Sequence, residues 1–107
     1  MADAEPSFAP ASPTPAASTL RDLIALVARL RAPDGCPWDR EQRLADVRAY
    51  LLEEAHETAA AIDEGSWPAI GGELGDLLFQ VAFVLRLGEE ASALSAEQVI
   101  AAEHAKM

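Results

Sequence analysis

Five carboxylates fall in two short runs: Glu53, Glu54 and Glu57 in one, Glu73 and Asp76 in the next. In an α-helix, residues three apart stand one turn apart on one face. A helical reading therefore points Glu54 and Glu57 the same way, and likewise Glu73 and Asp76. The second run is the sharper. From Glu73 to Leu85 the chain reads ELGDLLFQVAFVL, and its only polar side chains are Glu73, Asp76 and Gln80. On a helical wheel these three fall within roughly 60° of each other. The remaining circumference is apolar, so most of this helix should be buried. Buried carboxylates without partners are protonated or strongly destabilising. No Lys or Arg occurs between Arg48 and Arg86. If the two acidic faces meet, a divalent cation resolves the repulsion. Clustered carboxylate oxygens suit Mg²⁺ or Mn²⁺, which keep water and phosphate as further ligands. The plainer reading, two stripes facing solvent, suits an arbitrary Glu-x-x-Glu better than it suits this narrow stripe without local bases.

Those carboxylates need helices to hold them. Leu20, Leu23, Ile24, Val27 and Leu30 recur at helical spacing, predicting a first helix from about Thr19 to Arg31, with Thr19 as cap and Asp22 at the reciprocal position. Residues 32–39 read as a loop, from two prolines and Asp34-Gly35. The next helix should begin near Arg40–Ala45 and end near Glu64, with Gly65 as its stop. Ser66 and Pro68 open the helix that carries Glu73, which should close at Gly88. Ser95 opens a last helix, with Gln98 placed for a capping box. That helix reaches Met107 without a stop signal, so the chain reads as truncated at its C-terminus. The short connection between the two acidic helices implies an antiparallel pair. Gly75 inside a helix suggests the close approach of another helix.

Composition narrows the class. The 107 residues suggest one domain, residues 18–107, behind a disordered Pro- and Ala-rich tail over 1–17. Half the residues are hydrophobic but only 6% are aromatic, which favours an all-α fold. So small a helical core often gains stability by oligomerising. Eighteen acids against eight bases give a net charge of −10, which disfavours nucleic acid and anionic membrane as partners. Cys36 is the lone cysteine, so no intrachain disulfide forms; with no leader-like start at MADAEPSF and no run of about 18 apolar residues, a cytoplasmic protein is expected.

Gly35-Cys36-Pro37-Trp38-Asp39, then Gln42, then Leu52-Glu53-Glu54-x-x-Glu57, then Gly72-Glu73-Leu74-Gly75-Asp76-Leu77-Leu78-Phe79-Gln80-Val81 resemble MazG, an all-α nucleoside triphosphate pyrophosphohydrolase family. The resemblance covers about residues 19–107 and implies an antiparallel helical bundle completed by dimerisation, as a homodimer or homotetramer. It implies Mg²⁺-dependent hydrolysis of a nucleoside triphosphate to the monophosphate and pyrophosphate. Residue by residue, Glu54, Glu57, Glu73 and Asp76 match the magnesium ligands. Glu53 matches the first Glu of the motif, a water-orienting or supporting carboxylate. The loop 35–42 resembles the segment that approaches the nucleotide. In it Trp38 is placed either to stack on a base or ribose or to plug the end of the bundle, and Arg40 and Gln42 are placed to contact the nucleotide. Arg40 stands where the family often has Lys. Lys106 resembles the Lys that precedes a basic segment, Arg-Arg-His-Pro-His-Val-Phe or similar, and the chain stops where that segment would begin.

Three other readings compete. Phosphoribosyl-ATP pyrophosphohydrolases share the acidic helices, though the Gly-Cys-Pro-Trp-Asp loop favours MazG. A non-catalytic helical dimerisation or regulatory module would keep the acids as a relic. Glu53-x-x-His56 also fits half of a di-iron site in a four-helix bundle, but the other acidic helix offers no His.

Overall fold

A computed structural model describes residues 17–107, and the tail expected over 1–17 lies outside them except for Ala17. The described residues form five helices: α1 (Leu20–Leu30), α2 (Pro37–Glu41), α3 (Leu44–Glu64), α4 (Trp67–Glu90) and α5 (Ala96–Lys106). The described residues are all-α, as the composition favours.

The first helix starts where its cap dictates. Thr19 Oγ1 accepts from the Asp22 N–H, and Asp22 Oδ2 accepts from the Thr19 N–H at 3.0 Å, closing a capping box. The box expected at Ser95 forms only in its forward half, Ser95 Oγ accepting from the Gln98 N–H at 3.2 Å.

Two boundaries differ from expectation. The segment 32–39 is not all loop: Pro37 sits in the first turn of α2, where its missing N–H costs nothing. Gly88 does not close α4, which runs on to Glu90, with Ser92 just beyond in a left-handed conformation (φ 54°). Gly88 serves packing instead, because a Cβ there would lie 2.7 Å from Leu94 Cγ. The extra turn is held by charge: Arg21 pairs with Glu89 at 2.6 Å and Arg31 with Glu90 at 2.8 Å, tying α1 to the end of α4.

Gly65 ends α3 in the left-handed region (φ 83°), and the chain reverses within two residues. α3 and α4 then pack along their lengths, and α1 packs on α4. The pairing runs antiparallel: Thr58 stands level with Glu73, while Val47 and Tyr50 stand level with Gln80 and Phe83. Ile24, Val27, Val47, Ala82, Phe83 and Leu85 form the core. Phe79 and Phe83 meet edge to face, 6.1 Å between centroids.

Much apolar surface stays open. Leu52 and Ile62 on α3, and Trp67, Leu74 and Leu78 on α4, are exposed, and the three on α4 recur at spacings of seven and four on one face. Among the described residues nothing stands within 4 Å of where a Cβ at Gly75 would lie, so the close approach expected there is not made within the chain. By length and composition alone α4 is apolar enough to cross a membrane, although it holds no unbroken apolar run.

Candidate active site

The acids of α3 divide by the helix face they occupy. The face of α3 turned to α4 carries Val47, Glu54, Thr58 and Ala61, at spacings of three and four or their multiples. Glu54 thus stands at a seam position, while Glu53 and Glu57 are exposed. Across the seam Glu73 is half-buried and Asp76 exposed.

Between the helices sits Thr58, buried, its hydroxyl shared between the carbonyls of Glu54 (2.7 Å) and Glu73 (3.2 Å). It bridges α3 and α4 at the level where the two acidic turns meet. The sequence reading missed it. The signal was there: a small hydroxyl residue one turn beyond Glu54 on the apolar seam, where it can bond back to the preceding turn.

At that level one oxygen from each of Glu54, Glu57 and Glu73 lies within 4.8 Å of the others. Glu54 Oε1 and Glu73 Oε1 are buried and receive no hydrogen bond. Burial holds the Glu54 carboxyl above the ordinary carboxylate range, and the charges of Glu57, Asp76, Glu73 and Glu53 push it further up. Glu73 is raised the same way, by burial first and then by Glu57 and Asp76. Two desolvated oxygens with no donor, amid three further carboxylates, form a donor set suited to a hard divalent cation. Asp76 acts on both inner acids electrostatically but lies outside the tight trio.

One turn away from the acids, Trp38, Asp39, Gln42, Val47, Tyr50, Phe79, Gln80 and Phe83 line a cleft of about 200 Å³. Tyr50 precedes Glu54 by one turn of α3 and Gln80 follows Asp76 by one turn of α4, so the cleft and the carboxylates adjoin. Trp38 is 61% exposed and does not plug the bundle. The side-chain amide of Gln42 donates to the Trp38 carbonyl at 3.0 Å. Arg40 is turned onto the carbonyls of Ala32 and Pro33. Lys106 pairs with Glu103 on its own helix at 3.2 Å. The fold thus brings Glu54, Glu57 and Glu73 together, leaves Asp76 and Glu53 exposed outside that trio, and brings Trp38 and Gln42 to the adjoining cleft. It leaves Arg40 and Lys106 on other partners. His56 is exposed and takes no part in the carboxylate trio, so the di-iron arrangement finds no support in the geometry.

An antiparallel helical hairpin with unpaired carboxylates converging beside an aromatic cleft defines an all-α domain whose acidic cluster suits a divalent cation. The family follows from comparison: the MazG nucleotide pyrophosphohydrolase domain matches residues 42–107, and the chain belongs to that family. It is 40% identical over 79 residues to the nucleoside triphosphate pyrophosphohydrolase/pyrophosphatase MazG of Thermotoga maritima, covering 74% of this chain and 31% of that protein. It is 42% identical over 81 residues to a nucleoside triphosphate pyrophosphohydrolase of Escherichia coli K12, covering 75% of this chain and 31% of that protein. A Mycobacterium tuberculosis nucleoside triphosphate pyrophosphohydrolase is 44% identical over 73 residues, covering 68% of this chain and 22% of that protein. The chain spans less than a third of the length of these relatives.

Proposed function

We propose that this domain hydrolyses nucleoside triphosphates to the nucleoside monophosphate and pyrophosphate, with Mg²⁺ (or Mn²⁺) held by Glu54, Glu57, Glu73 and Asp76. The observation that carries this reading is the pair of buried, unbonded oxygens, Glu54 Oε1 and Glu73 Oε1, on carboxylates that each bring one oxygen within 4.8 Å of one of Glu57. When bound, the cation neutralises phosphate charge and lowers the pKa of a coordinated water. Glu53, exposed beside this cluster, orients the attacking water and takes its proton. Oxygen of that water forms the new bond to the α-phosphorus, the bond from that phosphorus to the bridging oxygen breaks, and pyrophosphate leaves with the bridging oxygen.

The cleft beside the carboxylates receives the nucleoside. Trp38 and Tyr50 offer stacking faces, and the Gln80 amide offers one donor and one acceptor side to a base edge. Gln42 acts here by holding the Trp38 backbone. Arg40 and Lys106 reach phosphate only by leaving their present partners.

The open stripes of α3 and α4 support pairing with a second copy, giving a homodimer or a homotetramer. The net charge of −10 supports a protein without nucleic acid or membrane partners, and the lone cysteine suits the cytoplasm.

The test is a product assay against a panel of triphosphates, with and without Mg²⁺. Metal-dependent release of pyrophosphate and monophosphate is expected. Orthophosphate alone, or no product, overturns the reading, and exclusive turnover of phosphoribosyl-ATP moves it to the neighbouring enzyme class.

A further inference from the structure

Arg31 caps the C-terminal end of α1 and belongs to none of the acidic motifs, yet its side chain is 13% exposed and fully engaged. Nε and Nη2 donate to the two oxygens of Glu90 at 2.9 and 2.8 Å. Nη1 donates to the carbonyls of Asp39 at 2.7 Å and Gln42 at 3.2 Å, with the Arg40 carbonyl at 3.4 Å. The guanidinium carbon lies 5.6 Å from the centroid of the Phe83 ring.

These contacts converge on one small element. α2 has only five residues, too few to hold its own shape, and the one backbone bond at its end is a long one, from the Gln42 N–H to the Asp39 carbonyl at 3.4 Å. Arg31 adds donors to the carbonyls of Asp39 and Arg40 and to that of Gln42 just beyond the helix. It also braces them, through Glu90, against α4. Trp38, Asp39, Gln42 and Phe83, all bonded to Arg31, stacked under it or within the segment it ties down, line the cleft next to the carboxylates.

We propose that Arg31, held by Glu90, is a positioning residue that fixes α2, and with it Trp38, as one wall of the cleft. Arginine is required for this. Its planar fork reaches a carboxylate with one edge and backbone carbonyls with the other, while a lysine ammonium serves one side only. The nucleotide arm of the test rests on reading the cleft as the nucleoside subsite; the Trp38 arm does not.

The experiment uses the full chain carrying Trp67→Phe, which leaves Trp38 as its one tryptophan. Arg31→Gln, Arg31→Lys and Glu90→Gln are compared by Trp38 anisotropy and acrylamide quenching. Mn²⁺ affinity and affinity for a non-hydrolysable triphosphate with Mg²⁺ are measured alongside. Arg31→Gln is expected to lower Trp38 anisotropy and raise its quenching, to leave Mn²⁺ affinity unchanged, and to weaken nucleotide binding about tenfold. Arg31→Lys is expected to resemble Arg31→Gln rather than the parent. Trp38 signals unchanged in a folded Arg31→Gln protein overturn the proposal. So does a loss of Mn²⁺ affinity in step with melting temperature, which marks a general stability role. Should Arg31→Gln fail to fold, Glu90→Gln decides, because it removes the charge that holds the guanidinium against α2: raised quenching supports the proposal and unchanged quenching overturns it. If the parent binds no nucleotide while Arg31→Gln still frees Trp38, the positioning role stands and the nucleoside reading of the cleft falls.

Discussion

Glu54 and Glu73 do opposite things for the protein with and without a cation. Without one, each keeps a buried oxygen unbonded, and that strain is local. Glu54→Gln replaces the charge with an amide of the same shape. In metal-free buffer it should raise the melting temperature by a few degrees, roughly 1 kcal/mol. It should also abolish any rise on adding Mg²⁺, because the cation loses an inner ligand. Differential scanning calorimetry with and without Mg²⁺ checks both, and a lower metal-free melting temperature counts against an unpaired charge at this position. Glu53 is exposed at the margin. Glu53→Gln should keep the Mg²⁺-dependent stabilisation and lose about 10²-fold in turnover, as expected for loss of a water-orienting base. A Glu53→Gln protein with parental turnover would remove that role.

Between elements, one hydroxyl bridges the two acidic helices and one glycine permits a close backbone approach. Thr58→Val keeps the volume and removes the bonds to the Glu54 and Glu73 carbonyls. It should cost about 1 kcal/mol in urea unfolding, and Mn²⁺ affinity should fall, since α4 is then free to shift against α3. Unchanged affinity would mean that apolar packing alone fixes the level of the acids. Gly35 lies where the chain folds back on the end of α1; a Cβ there would stand 2.4 Å from the carbonyl oxygens of Arg29 and Leu30. Thr19, Gly65 and Ser66 were legible as helix ends because capping is decided within a few residues. The short helix α2 and the extra turn of α4 were not legible. Both depend on partners distant in the chain: Arg31 for the carbonyls of α2, Arg21 and Arg31 for Glu89 and Glu90.

For the molecule as a whole, two sets of carboxylates pull stability in opposite directions with pH. The Arg21 guanidinium and the Ala96 N–H hold the Glu89 carboxyl down to about 2. Its contribution is complete above the ordinary value of 4.5 and is lost as pH falls towards about 2. Glu54 and Glu73 are raised from 4.5, so they favour folding fully below that value and less as pH rises through their folded values. The metal-free protein should therefore melt highest on the acid side of neutrality. Added Mg²⁺ should restore stability at neutral pH, where it replaces the missing proton. Thermal scans across pH in chelator and in Mg²⁺ check this, and a metal-free optimum at or above neutrality contradicts it. The open apolar stripes make a second prediction at this scale. Leu78, 47% exposed, should fall within the pairing surface, so Leu78→Glu should sediment as a monomer where the parent sediments as a dimer or larger. A parent that is monomeric at tens of micromolar removes the dimer from the proposal.

The chain's own order of residues determined that it is helical, where four of its helices lie, and which acids share a helical face. Those properties follow from spacing and capping, which act over a turn or two. It also carried the ordered motifs that mark the family. Only the tertiary structure decided which acids are inner and which outer: Glu54 and Glu73 lie where α3 meets α4, level with the buried Thr58. It decided as well that Trp38 stands open at a cleft rather than closing the bundle, and that Arg31 holds the wall on which Trp38 sits. Burial and long-range hydrogen bonds are properties of the packed pair of helices and not of either segment, so no reading along one segment contains them.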